Sequence, residues 1–177
     1  LPTIIGTCTA YGAIEKEKLI TPNGAKPGDY LLCVKPVGLE TVVNFSLMHG
    51  VLAERLFGEA RTAEMPDLVG LQSCVREAML LAQIDGVHAM HDATEGGLTA
   101  ALNEMADASN VGFKIEREQI PIPNEILKLA ECFQLSQEQV LSTSSTGTIL
   151  AAISPEAKEK VMQAFHKYKI EGRILGV

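Results

Sequence analysis

Apolar and polar positions switch between two periods along this chain. Short, almost unbroken apolar runs at residues 30–35 (YLLCVK), 87–90 (VHAM) and 148–153 (TILAAI) predict strands, the first with both faces covered. Residues 2–14, rich in Thr, Ile, Cys and Tyr, predict another, with Gly6 and Gly12 as bulges or points of close approach. Residues 15–19 read as a charged turn into a brief second strand, 111–115 as a further strand and 169–177 as a final strand or tail.

Between these runs the spacing turns helical. Residues 39–57 carry a stripe of Val42, Val43, Phe45, Leu47, Leu52 and Leu56, with Gly50 dividing the run. Residues 68–84 place Leu68, Leu71, Val75, Met79 and Ala82 on one face, with Asp67 as N-cap and Asp85-Gly86 as the stop. A third helix is expected over 98–108, with Asn110 closing it, and a fourth over 125–133, capped by Asn124, with Ile126, Leu127 and Ala130 inward. Ser136 and Gln139 have capping-box spacing for a short helix to Leu141. Ser154-Pro155-Glu156 is a helix start, and that helix runs to about Tyr168 with Val161, Met162 and Phe165 inward. Residues 21–29 (TPNGAKPGD), 58–66, 116–119 and 142–148 (STSSTGT) are the connections. The elements add up to a single α+β domain with a mixed sheet covered by helices.

Composition narrows the class. A chain of 177 residues with 46% apolar and 21% charged residues builds a real core. No apolar run approaches membrane-spanning length, and the first ten residues lack the features of a signal peptide. A net charge of −7 without a basic stripe argues against a nucleic-acid surface. Cys8, Cys33, Cys74 and Cys132 are scattered without a CxxC pair, so they read as small, reduced core residues of a cytoplasmic protein. His49 reads as a surface or helix-end residue. The chain begins with Leu, and the expectation is a fragment or processed product with part of the functional unit elsewhere.

The candidate chemistry lies in residues 87–106, VHAMHDATEGGLTAALNEMA. A strand, a polar turn with two glycines and a helix make an anion-friendly geometry, because N–H groups at the helix start are unpaired. Asp92 adds an oxygen that suits Mg²⁺, although a turn or cap role is its default. Thr94 divides between capping and ligand contact. Glu95 opposes a bare phosphate at that helix start and favours a contact through a metal. His91 is a candidate acid or base, but neighbours on a strand point to opposite faces, so His91 and Asp92 need not share a site. Asn103 and Glu104 read as solvent-exposed, and the 142–146 hydroxyls as a loop.

GAKPGDYLLC at 24–33, MHDATEGGL at 90–98 and LNEMA at 102–106 resemble the carboxy-terminal domain of the aminoimidazole ribonucleotide synthase (PurM-like) superfamily. The hydrogenase-maturation (HypE-like) branch is the nearest in flavour, through HDATEGG, IPIPNEI and the SPE-led unit. The resemblance implies a three-layer α/β/α fold and an ATP-dependent enzyme that phosphorylates an amide or carbonyl oxygen of a small-molecule or protein-borne substrate. It implies ATP and Mg²⁺ held mostly by an amino-terminal domain that this chain does not contain, a homodimer, and a maturation-protein partner. It also implies a metal–phosphate role for Asp92 and a shaping role for Thr94, Gly96 and Gly97. The chain departs from the branch's RDPTRGG at His91 and Glu95, which changes the local charge, and it ends in GRILGV without a cysteine tail. The alternatives are a non-catalytic docking or ligand-sensing module, a purine cyclo-ligase or a small-molecule kinase.

Overall fold

A computed structural model describes residues 6–177. Its sheet has four strands, β1 (Tyr30–Val34), β2 (Val87–Asp92), β3 (Ile149–Ile153) and β4 (Gly172–Gly176), in the order β2-β3-β1-β4. Each of the three pairings is antiparallel, so the sheet is not mixed as its alternation with helices suggested. The alternation of strand side chains divides the core in two. Leu31 and Cys33 of β1 join Ala89, Leu150 and Ala152 under helix α5 (Gly97–Ser109), which contributes Leu98, Ala101 and Met105. Leu32 and Val34 join Ala151 and Ile153 on the other face, against Leu81 of α4 (Val75–Leu81) and Val161 and Phe165 of α8 (Lys158–Tyr168). Burying the Phe165 side chain stabilises the fold by roughly 2 kcal/mol on transfer scales. The result is an α+β, three-layer α/β/α domain.

A third cluster lies outside the sheet. Val42 of α1 (Leu39–Met48), Ala53 and Phe57 of α2 (Gly50–Phe57), Ile126 and Leu129 of α6 (Asn124–Phe133) and Val140 of α7 (Gln137–Leu141) pack together with Met65. Helix α3 (Glu59–Ala63) sits in the expected polar connection, which therefore also delivers the buried Met65. The α1–α2 break falls at His49, an exposed helix-end residue, one position before the expected Gly50. The capping box of α7 forms: Gln139 N–H donates to Ser136 Oγ at 3.2 Å, and Ser136 N–H to Gln139 Oε1 at 2.8 Å.

Several expectations fail for identifiable reasons. Residues 6–14 form no strand and are exposed, because a strand without a ladder partner leaves its backbone groups to water. The expectation's first residues lie outside those described. Residues 15–19 contain a 3₁₀ turn, Lys16–Lys18, and no second strand. Residues 111–115 make one bridge, Ile115 to Gly176, at the side of β4. Asn124 starts α6 instead of capping it, and Leu47 and Leu127 are half exposed while Leu129 and Glu125 turn inward. Cys33 is buried, but Cys8 and Cys132 are exposed and Cys74 is intermediate.

The largest revision concerns residues 68–84. A 3₁₀ segment, Met65–Gln72, includes Asp67, so that residue caps nothing; Ser73 is extended, and α4 begins only at Val75. Lys35 Nζ donates to the Leu71 carbonyl at 3.0 Å and the Ser73 carbonyl at 2.6 Å, oxygens a continuous helix would use internally. The break shifts the helical phase. Glu77 and Leu81 now face the core, while Leu71, Val75 and Met79 are 44%, 66% and 58% exposed.

Candidate functional site

The strands align so that their chemistry gathers at one sheet end. Asp92 pairs with Ile149, Ile149 with Val34, and Val34 with Gly172. Strand β2 continues two residues beyond its expected end, which puts His91 and Asp92 in the ladder and not in the turn. The opposite end holds the other resemblance motif. There Asp29 of GAKPGD, 5% exposed, accepts from the Lys26 N–H at 2.8 Å and sits 2.9 Å from His88 Nδ1. Gly24 packs on the His88 carbonyl, which a Cβ would meet at 1.9 Å. GAKPGD therefore ties the start of β1 to β2, far from Asp92.

At the Asp92 end, the carboxylate is half exposed and accepts the Thr94 hydroxyl on Oδ2. Its Oδ1 lies 3.7 Å from His91 Nδ1, so the strand end brings the two side chains together despite their alternation. His91 Nδ1 lies 2.6 Å from the Asp92 carbonyl oxygen, and Nε2 lies 2.8 Å from Glu104 Oε2 on α5. Both ring nitrogens thus face oxygen atoms, which holds the ring in place between the strand end and α5. Glu104 is solvent-exposed as expected, and from the helix surface it contacts the ring.

The α5 start is built from two left-handed glycines, Gly96 (φ +74°) and Gly97 (φ +60°). Neither Thr94 nor another side chain caps the helix; the Gly97 N–H donates to the Thr94 carbonyl at 3.1 Å. A Cβ on Gly97 would come within 2.5 Å of the Thr143 carbonyl oxygen and 2.7 Å of the Leu141 carbonyl oxygen. The close approach that Gly97 permits is therefore made by the chain's own 141–143 backbone, and Gly97 shapes the site without offering its N–H.

The hydroxyl-rich loop is the hub behind this wall. The Ala93 N–H donates to the Thr148 carbonyl at 3.0 Å, and the Ser145 N–H returns a bond to the Ala93 carbonyl at 3.1 Å. Ser145 Oγ accepts the Gly38 N–H at 2.6 Å, and Thr148 Oγ1 donates to the Pro36 carbonyl at 2.7 Å. Ser144 and Thr146 both donate to Glu40 Oε2. Hydrogen bonds from Ser144 and then Thr146 hold the Glu40 carboxyl below its ordinary 4.5. These hydroxyls fasten α1 and the β1 exit to the Asp92 turn.

Beside the hub lies a buried ion pair that the sequence reading passed over. Lys35 Nζ is 3.2 Å from Glu77 Oε2, and both side chains are 9% exposed. The contact is too poorly aligned for a hydrogen bond, so Oε2 has no hydrogen-bond partner among the described residues. The signal was a Lys ending an apolar strand run. It became legible only once α4 took its phase.

Among the described residues, no three His, Cys, Asp or Glu side chains gather as a metal group. Asp92 offers one hard oxygen site, which suits a cation whose other ligands are phosphate oxygens, water and groups from elsewhere. No helix among the described residues is long and apolar enough to cross a membrane.

Comparison with known proteins places the chain. The carbamoyl dehydratase HypE of Rhizobium leguminosarum bv. viciae is 30% identical over 156 residues, covering 87% of this chain and 41% of that protein. The chain thus spans less than half the length of that relative. The crystal structure of E. coli HypE superposes with a TM-score of 0.67 at 24% identity, over 94% of this chain and 49% of that one. Thiamine-monophosphate kinase from Stenotrophomonas maltophilia K279a gives 0.69 at 16% identity, over 92% and 51%. A HypE structure in complex with ATP gives 0.65 at 17% identity, over 92% and 46%. These three structures share the fold. The family model for the AIR synthase related protein, C-terminal domain, matches residues 26–177, and the chain belongs to that family.

Proposed function

We propose that this chain is the carboxy-terminal part of a HypE-like, ATP-dependent enzyme that phosphorylates and so activates an amide or carbonyl oxygen. The observation that carries the reading is the Asp92 wall: an exposed carboxylate at a strand end, oriented by Thr94 and set beside a glycine-built helix start. Similarity to HypE proteins, one of them solved with ATP, supports the cofactor. ATP and Mg²⁺ would supply the phosphoryl group and neutralise its charge. Asp92 would hold one metal position. Thr94 fixes the Asp92 rotamer through its hydroxyl, and Gly96 and Gly97 set the turn so that the carboxylate faces outward. His91 would give or take a proton on releasing Glu104. Most ATP ligands belong to an amino-terminal domain outside this chain, so the chain alone is inactive. The full enzyme is a cytoplasmic homodimer, and a maturation protein presents its carbonyl substrate.

The acidic surroundings favour a second reading. Glu95 and the Glu104-pinned His91 stand where the branch carries arginines, and a non-catalytic docking or ligand-sensing module would tolerate that change. Asp92→Ala in the longer natural polypeptide separates the two. Loss of Mg²⁺-dependent ATP turnover with an unchanged melting temperature supports the enzyme. Unaltered turnover removes Asp92 from the reaction, and no turnover in the parent protein favours the module.

A further inference from the structure

We infer that a cavity on the β1–β4 half of the same sheet end binds a small oxyanion with an apolar body, at a site separate from Asp92. The cavity holds about 340 Å³, at the lower end of small-molecule sites. It lies between α1, the 3₁₀ segment, the start of α4, the start of α6 and residues 169–171. Leu39, Val42, Leu68, Leu71 and Ile170 give it an apolar wall.

The charges on that wall select the ligand. Lys35, Arg61, Arg76 and Lys169 face Glu77, Glu125 and Glu171, a positive surplus in a chain of net charge −7. Most of these charges are already committed. Lys35 serves Glu77 and two carbonyls, and Arg61 serves Glu125 at 2.5 Å and Glu64 at 2.7 Å. Arg76 spends one bond on the Tyr168 carbonyl, 2.9 Å away. Lys169 makes no ion pair or side-chain hydrogen bond among the described residues. Two underused cations therefore stand against one unpaired acid, Glu171, and an oxyanion completes them.

A second, independent observation marks the same walls. Three buried side-chain atoms lack a hydrogen-bond partner among the described residues: Thr62 Oγ1, Gln72 Nε2 and Glu77 Oε2. Glu77 lines the cavity, and Thr62 and Gln72 adjoin the lining residues Arg61 and Leu71. Glu77 Oε2 has the Lys35 ammonium 3.2 Å away as its charge partner, which leaves two donors, the Thr62 hydroxyl and the Gln72 amide, beside the lining residues for an acceptor supplied from outside the chain.

The test is an amide NMR titration of the 177-residue chain with phenyl phosphate, inorganic phosphate and phenol. Phenyl phosphate should saturate at millimolar concentration or below, shift the amides of Leu71, Arg76 and Ile170, and bind more tightly than either half-molecule. Arg76→Gln combined with Lys169→Asn, which suits the left-handed backbone at 169, should weaken phenyl phosphate about tenfold or more and leave phenol unchanged. Glu171→Gln should tighten it, a gain that an unfolded variant cannot imitate. Asp92→Ala should change nothing here, which keeps this site's fate apart from the ATP reading. Three results overturn the inference: no saturable binding of phenyl phosphate, equal binding of phenol, or shifts confined to the amides of 93–98.

Discussion

Replacing Gly97 by Ala tests the packing that sets the Asp92 turn. The residue sits at φ +60°, where an L side chain costs about 1–2 kcal/mol. The new Cβ would also lie 2.5 and 2.7 Å from two backbone carbonyl oxygens, which cannot swing aside as a side-chain tip could. Overpacking of this kind adds about 1–3 kcal/mol. The sum is about 2–5 kcal/mol, which for a chain of this length lowers the melting temperature by about 4–20 °C. Gly28→Ala is the matched control: its φ is +90°, but a Cβ there meets nothing within 4 Å. It pays the backbone cost alone, partly offset by a stiffer unfolded chain, for a net change of about 1 kcal/mol. Thermal unfolding followed by circular dichroism, with both variants at one concentration, reads the difference. Equal melting temperatures for the two variants would refute the contact between α5 and the 141–143 backbone.

Two further outcomes follow from the environments of single groups. The Glu40 carboxyl titrates below 4.5 because Ser144 and Thr146 donate to it, so its contribution is present above the unfolded value and lost as pH falls through the folded one. The urea midpoints of the parent chain and Glu40→Gln should therefore differ at pH 7 and draw together as the pH falls below 4.5; a gap that does not narrow in acid contradicts the assignment. Burial pushes the Cys33 thiol up to about 12, so in native buffer a thiol reagent should modify Cys8 and Cys132 quickly, Cys74 slowly and Cys33 only on unfolding. Rapid modification of Cys33 in the folded chain would mean that β1 is not the sheet interior.

What could be read from the sequence was what local chemistry determines. The Ser136–Gln139 box, the apolar runs of β1 and β3 and the β2–turn–α5 unit all follow from residues close in sequence, whereas α8 begins only at Lys158, after a turn at the expected Ser154-Pro155-Glu156 start. The misreadings share a different cause. Residues 6–14 have the composition of a strand, but pairing is not a local property, and among the described residues they find no ladder. The α4 face was misread because Lys35, nearly forty positions earlier, takes the carbonyls a continuous helix would have kept. Asp92 could be singled out as a candidate from its setting, whereas Glu40 could not, since its partners Ser144 and Thr146 lie about a hundred residues away. The glycine pair was legible as an anion-friendly turn, but that the close approach at Gly97 is made by the chain's own 141–143 backbone was not.

The central claim is that the Asp92 end of the sheet holds a metal bound to ATP phosphates. Its most direct measurement uses Mn²⁺ in place of Mg²⁺ with ATP on the protein in its natural full length, recording paramagnetic broadening of amide signals. The account predicts strong broadening at Ala93, Thr94 and Leu98, lost in Asp92→Ala, with the GAKPGD turn and His88 at the far end unaffected. Sharp signals at 93–98 with Mn²⁺ and ATP bound, or broadening centred on His88, would contradict it.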